Sequence, residues 1–511
     1  NKGKPMKMSL RSNAFSVLAI LAAAGLVSAG CSKPARTPSG PGAASNQSGT
    51  QEATTDDPPQ QVADAVYTNG KIYTVNEEQP WVEAVAIKDG AFVAVGTSEE
   101  IKAVTGKNTK VVDLGGKFVM PGLHDQHVHM EQAYKGDILV DSLLNFPPEV
   151  ATGDEAGKIL RDFADKNPDA KVLFGQSLEY GIFDKISNKW MDEAVPDRPV
   201  VILSSTEHEG ILNSKALEME GITADTKAPE GGEIGKDEDG KLTGWLMETA
   251  AGRWAWKHYP QVSPEDHKKG LQATVAYLNS IGVTTVKQQH AKNPIAIAAQ
   301  SLEKDGELHA RVGLSWTWKG PLEPMPLDEQ EEMIAERGQF ASDLIKTEYV
   351  KFSGDGNAGS TGYVLEPYLQ TKDRGINFFT DDSLFEEVEK FDRMGMGVTI
   401  HVTGDAAVRQ MIDAVERVKK KHGELKARHQ IGHASMCHPD DIPRLKSLDL
   451  TVEFSPVVWF ATAFVKAQIP QIGEERMRYW YPMRSVAKHG GRFVIASDGP
   501  LMWQDTFRRV E

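Results

Sequence analysis

The sequence predicts an α/β protein built on a parallel sheet, either closed as a (β/α)8 barrel or open and doubly wound. Two observations carry this. From residue 118 onward, short apolar runs suited to strands alternate with amphipathic helical runs, and such alternation implies parallel strands joined by crossover helices. Histidines, a lysine and an aspartate also fall in or just after the strand runs and in none of the main helical ones. Those strand ends are where parallel α/β folds keep their chemistry.

The chain begins differently. Lys7 and Arg11 precede the short apolar run "AFSVLAILAAAGLV" and the small-residue ending "SAGC", the layout of an export signal. The run is too short for comfortable membrane spanning. The ending reads as a lipobox with Cys31 as the lipidation site, although Ser28 stands where leucine is more common. A cleaved secretory signal or an uncleaved anchor fits less well. The expected location is the bacterial cell envelope, on the periplasmic or outer-membrane face, with membrane contact through the lipid alone. Residues 32 to 61, rich in Gly, Pro, Ser, Thr and Gln, read as a disordered tether. Cys437 is the only other cysteine, and nothing near it supports a nucleophile, so it reads as a small packed residue.

Ordered structure is expected from residue 62. "AVYTNGKIYTV" and "VEAVAIKDGAFVAVG" alternate as strands, with Asn69–Gly70 and Asp89–Gly90 as hairpin turns. With "TKVVDLGG" they make about five short strands, part of a small β-domain spanning residues 62 to 117. Barrel or sheet strands follow, among them "KVLFGQ", "PVVILSST", "GVTTVKQQ", "EYVKFSG", "MGVTIHVTG", "ARHQIGH", "LTVEFSP" and "RFVIASDGP". Helices are expected at "LDEQEEMIAERGQFA", "DSLFEEVEKFDRM" and "DAAVRQMIDAVERVKKKH".

A chain of 511 residues is long enough for two or three domains. The 57 basic against 72 acidic residues, net −15, with no long basic stretch, argue against nucleic acid as a partner. The chain has only 14 histidines, yet "PGLHDQHVHM" packs three beside an aspartate. Strand side chains alternate faces, so Asp125, His127 and His129 share one face. His124 has opposite parity and should pack against a neighbouring element. Lys351, His401, His433 and Asp498 then close later strands. Each has a bland reading alone: a hydrogen-bonded core histidine, a snorkelling lysine, a turn-capping aspartate. Together, nitrogen ligands with a carboxylate suit a divalent metal, zinc before nickel, cobalt, manganese or iron.

The ordered set "TNGKIYTV", "DLGGKFVMPGLHDQHVH", "HEGILNSKALEMEGI", "VKFSGDGNAGS", "HVTGDAAVRQMIDAVE", "IGHA" and "ASDGP" resembles the amidohydrolase superfamily, specifically its YtcJ-like branch, from about Ala63 to Pro500. The resemblance implies a TIM-like barrel over residues 118 to 511, an inserted segment roughly 130 to 270, and a composite β-sandwich whose C-terminal part lies beyond Glu511. It implies metal ligation by His127, His129, His401, His433 and Asp498. Lys351 matches a position that can carry a carbamate bridging two metals, so one or two ions are expected. His208 and Asn213 match a substrate-pocket motif. His429 would face inward but lower, as a structural residue. Thr361 stands where the branch often has arginine.

The implied activity is hydrolysis of an amide, formamide or cyclic-amide C–N bond in a small molecule, by a metal-activated hydroxide with Asp498 as general base and then acid. Deamination, lactone or ester cleavage, and a non-catalytic binding lipoprotein are the rivals. Trp245, Trp254, Trp256, Trp316, Trp318 and Trp459 would suit an apolar or aromatic substrate, or simply a packed core. Self-association into a homo-oligomer stays open. A chain extended past Glu511 is expected to melt higher, stay more monomeric and hold more metal than one ending there, both lacking residues 1 to 61. Equal values in all three measurements would overturn this.

Overall fold

A computed structural model describes residues 61 to 499, except 132–142, 148–149, 180–184, 205–206, 358 and 456–462. Cys31, the expected signal and tether, Trp459 and the segment after 499 lie outside these residues. Among the described residues no helix is long and apolar enough to cross a membrane.

Eight parallel strands form the central sheet: β1 Leu123–Val128, β2 Val283–Ala291, β3 Arg311–Thr317, β4 Ile345–Ser353, β5 Gly397–Val402, β6 Gln430–His433, β7 Thr451–Phe454 and β8 Arg492–Ile495. Each pairs with the next in chain order. Beyond β8 the chain returns to β1 through the parallel bridge Val128–Gly499, so the sheet closes as a barrel rather than opening as a doubly wound sheet. The three expected helices form as Leu327–Glu336, Asp381–Arg393 and Asp405–His422. The last of these ends at Gly423, φ 79°, after Lys419, Lys420, Lys421 and His422. That is the left-handed stop and the cationic last turn that helix C-termini favour. Val286, Val312, Leu314, Phe352, Val398, Ile400, Ile431 and Val452 share one buried core with Val388, Phe391, Met411 and Val415 of the surrounding helices. Trp316 and Trp318 belong to this core too, which favours packing for both.

Between β1 and the barrel helix Pro264–Ser280 the chain builds a separate six-stranded sheet. "KVLFGQ" and "PVVILSST" lie there, as Leu173–Leu178 and Val200–Ser204, not in the barrel. Both are parallel, apolar and buried, so periodicity alone could not assign them to one sheet or the other. The small domain holds a four-stranded and a three-stranded sheet. Asp89 and Gly90, φ 48° and 75°, make the hairpin between Ala84–Lys88 and Ala91–Gly96. Asn69–Gly70 does not make one: Ala65–Thr68 and Lys71–Tyr73 pair in different sheets, and Asn69, φ 54°, turns the chain from one to the other. Trp81, Phe92, Val111 and Phe118 are exposed on this domain.

Barrel closure is also held by a side chain. Asp125 Oδ1 accepts the Ser497 N–H at 2.9 Å and the His127 N–H at 3.3 Å, all buried. Asp125→Ala leaves the Ser497 N–H without that acceptor and should lower stability by about 1–3 kcal/mol in urea unfolding. Asp125→Asn, which keeps an oxygen there, should lose less. Equal losses would show that charge rather than the hydrogen bond matters.

Candidate metal centre

Closure places Asp498 against β1. Its N–H donates to the His127 carbonyl at 2.9 Å, and the His129 N–H donates to the Gly499 carbonyl at 2.7 Å. The Asp498 carboxylate then lies 3.4 Å from His127 Nε2, 3.3 Å from His129 Nε2 and 3.8 Å from His433 Nδ1. His127, His433 and Asp498 each offer one ligand atom, all within 4.8 Å of one another. The His401 ring centroid is 4.5 Å from that of His433, and Lys351 Nζ is 3.3 Å from His127 Nε2. All six candidate ligands therefore meet at the barrel mouth.

The protonation states suit a cation. Burial holds His127 and His401 well below the usual imidazole range, and brings His433 down to about 3. Burial alone would raise the Asp498 carboxyl, but the surrounding imidazoles of His127, His433 and His129 outweigh it and hold the group well below its usual range. Imidazole nitrogens beside an ionised carboxylate, mostly enclosed, are the donor set of a divalent-metal site. Burial also brings the Lys351 amine down to about 8, against the opposing pull of Glu453 and Asp498.

His433 reaches the site by breaking the alternation of β6. Gln430 points into the barrel, where it donates to Glu453 Oε2 at 2.9 Å. Strict alternation would put His433 on the opposite face, but its φ of 65° re-aims it. His429 is structural, yet it does not face inward as expected. It lies on the helix side, 3.1 Å from Asp392 of the Asp381–Arg393 helix. His124 is exposed rather than packed.

The inserted sheet brings His208 over the barrel mouth, its ring centroid 5.5 Å from that of His401. His208 Nδ1 is 2.9 Å from Glu248 Oε2. The Thr361 hydroxyl donates to Glu248 Oε1 at 2.7 Å, so this residue, in the arginine's place, holds the clamp. Burial opposes protonation of His208, but the Glu248 carboxylate prevails and raises it to about 9. Asn213 is not brought to the site. It caps the helix Ser214–Met219: Oδ1 accepts from Ala216 N and Val200 N, and Nδ2 donates to the Val195 and Arg198 carbonyls. A buried asparagine so engaged holds the insertion together.

Several residues here went unread in the sequence. Glu453 Oε1 lies 2.6 Å from His127 Nδ1, orienting that ring as carboxylates orient metal-ligating imidazoles. Lys287 Nζ donates to Thr399 Oγ1 and Gln430 Oε1 at 2.7 and 2.8 Å. The signal for Glu453 was a charge inside the largely apolar strand run "LTVEFSP". His290, at the end of β2, stacks on His129 at 6.0 Å.

A family model described as the amidohydrolase family matches residues 110–510. The chain belongs to that family. It is 25% identical over 448 residues to the amidohydrolase YtcJ of Bacillus subtilis (strain 168), covering 86% of this chain and 81% of that one. It is 24% identical over 475 residues to the N-substituted formamide deformylase of Arthrobacter pascens, covering 88% and 84%. These matches place this amidohydrolase in the YtcJ-like branch. The fold is shared with an uncharacterized metal-dependent hydrolase from Pyrococcus furiosus, TM-score 0.61 at 22% identity, over 87% of each chain.

Proposed function

We propose that this amidohydrolase cleaves a non-peptide C–N bond of an amide, formamide or cyclic amide in a small molecule. The carrying observation is Asp498, an ionised, enclosed carboxylate within 3.3–3.8 Å of three imidazole nitrogens at the mouth of the closed barrel. The relative that acts on N-substituted formamides supports the choice of bond. His127, His129, His401, His433 and Asp498 would hold a divalent ion, zinc being the best match to N and O donors. Such an ion supplies positive charge that moves a water's pKa from roughly 15.7 towards about 7 and polarises the substrate carbonyl. Asp498 takes the proton from the attacking water and returns it to the departing nitrogen. Glu453 keeps His127 in one orientation, and His208, clamped by Glu248, covers the site from above.

His127→Ala should lose bound metal and activity together in metal analysis and a screen of N-formyl and N-acyl compounds. Asp498→Asn should keep most of its metal while turnover falls by about 10²–10⁴. Near-normal turnover by Asp498→Asn would show that another group moves the proton. Turnover of lactones or ring amines alone would favour the rival hydrolytic readings.

We further propose that Lys351 carries a carbamate, whose carboxylate would supply oxygen donors for a second metal ion. Its enclosure favours the neutral amine that must attack carbon dioxide, with the displaced N–H proton leaving to solvent. Protein loaded with [13C]bicarbonate should show a carbamate carbon signal and two metals per chain, both lost in Lys351→Met. One metal and no such signal would refute the carbamate.

A further inference from the structure

His290 has no part in the metal site as described, yet the chain departs from regular strand geometry to place it. The register of β2 against β3 shifts between Gln288 and Ala291, and His290 within that shift has φ 50°. Bulges of this kind re-aim side chains beside active sites, and a histidine held at positive φ needs surroundings that over-determine it. Here the re-aimed ring lies nearly parallel to His129, 17° and 6.0 Å apart.

A chain of half-buried and buried polar groups decides where the ring carries its hydrogen. His290 Nδ1 lies 3.2 Å from Thr317 Oγ1. The Thr317 hydroxyl donates to Glu323 Oε2 at 3.3 Å. Glu323 also accepts from Lys292 Nζ at 2.9 Å and from the Met325 N–H at 2.9 Å, so it acts as a carboxylate with donors on both oxygens. A hydroxyl has one hydrogen. With that hydrogen on Glu323, Thr317 Oγ1 can only accept, and His290 Nδ1 must be the donor. The neutral ring then presents Nε2 as a lone pair. Among the described residues no group hydrogen-bonds His290 Nε2.

We infer that His290 Nε2 accepts a hydrogen bond from an N–H of the substrate, making His290 a specificity residue for primary or N-monosubstituted amides. It rests on the amide reading of the site and narrows it. Esters, lactones and N,N-disubstituted amides have no N–H to offer and would leave the lone pair facing an apolar substituent. A site built to hydrogen-bond a substrate group discriminates against analogues that lack it far more strongly than an apolar pocket does.

The test compares an N-monosubstituted formamide with its N,N-disubstituted counterpart on metal-loaded full-length protein. Wild type should prefer the former, and His290→Phe should lower the ratio of their kcat/KM values by about tenfold or more. Thr317→Val, which frees the ring to change tautomer, should lower it in the same direction. Metal content should match wild type in both. In protein labelled with 15N-histidine, NMR should show His290 as the Nδ1–H tautomer, and this tautomer should be lost in Thr317→Val. An unchanged ratio in an active His290→Phe enzyme, loss of its metal, or an Nε2–H tautomer in wild type would each overturn this inference and leave the amide reading standing. A wild type that cleaves lactones but neither formamide would overturn both.

Discussion

The backbone hydrogen bond from Asp498 to the His127 carbonyl is the constraint on which the rest depends. It is part of barrel closure, and it sets a carboxylate from just beyond the last strand against imidazoles at the end of the first. Residues 371 positions apart in sequence, from His127 to Asp498, meet because eight parallel strands return the chain to its start. Asp125 serves the same closure from the side, through the Ser497 N–H. Function here therefore rests on a long-range pairing that local structure alone cannot supply.

Below the metal site the barrel interior is polar, and its polar side chains are linked by hydrogen bonds. Lys287 bonds Gln430, Gln430 bonds Glu453, and Glu453 bonds His127. Isolated, each of these groups would be expensive to bury; joined, each satisfies the next. The same arrangement fixes the orientation of a candidate ligand, so one network both fills the barrel and steadies the site. The cation–π contact of Lys287 with Tyr349, 4.3 Å to the ring centroid, closes the lower end.

Regular geometry yields at the mouth. His433, Asp498, His290 and Glu248 all have positive φ, at 65°, 52°, 50° and 53°. Such backbone is disfavoured for residues with side chains and persists where surrounding bonds hold it. These four residues are also where strand alternation would have aimed side chains elsewhere or left the insertion unattached. Strain and chemistry coincide at one end of the barrel, while its helices and outer core follow the local rules closely.

By itself the sequence determined the α/β class, three of the helices, the Asp89–Gly90 hairpin and the strand-end positions of His127, His129, Lys351, His401, His433 and Asp498. Those follow from periodicity, turn chemistry and residue type, which act over a few positions. The closed barrel needed resemblance to choose it over an open sheet. Only tertiary structure decided that Asn69–Gly70 links two sheets, that "KVLFGQ" and "PVVILSST" serve the insertion, and that Asn213 caps a helix of that insertion. Only it turned His429 outward, joined Glu248 to His208 and brought Glu453 beneath His127. Each of these depends on which distant partner satisfies a buried polar group or covers an apolar face, and that choice is made by the packing of the whole chain.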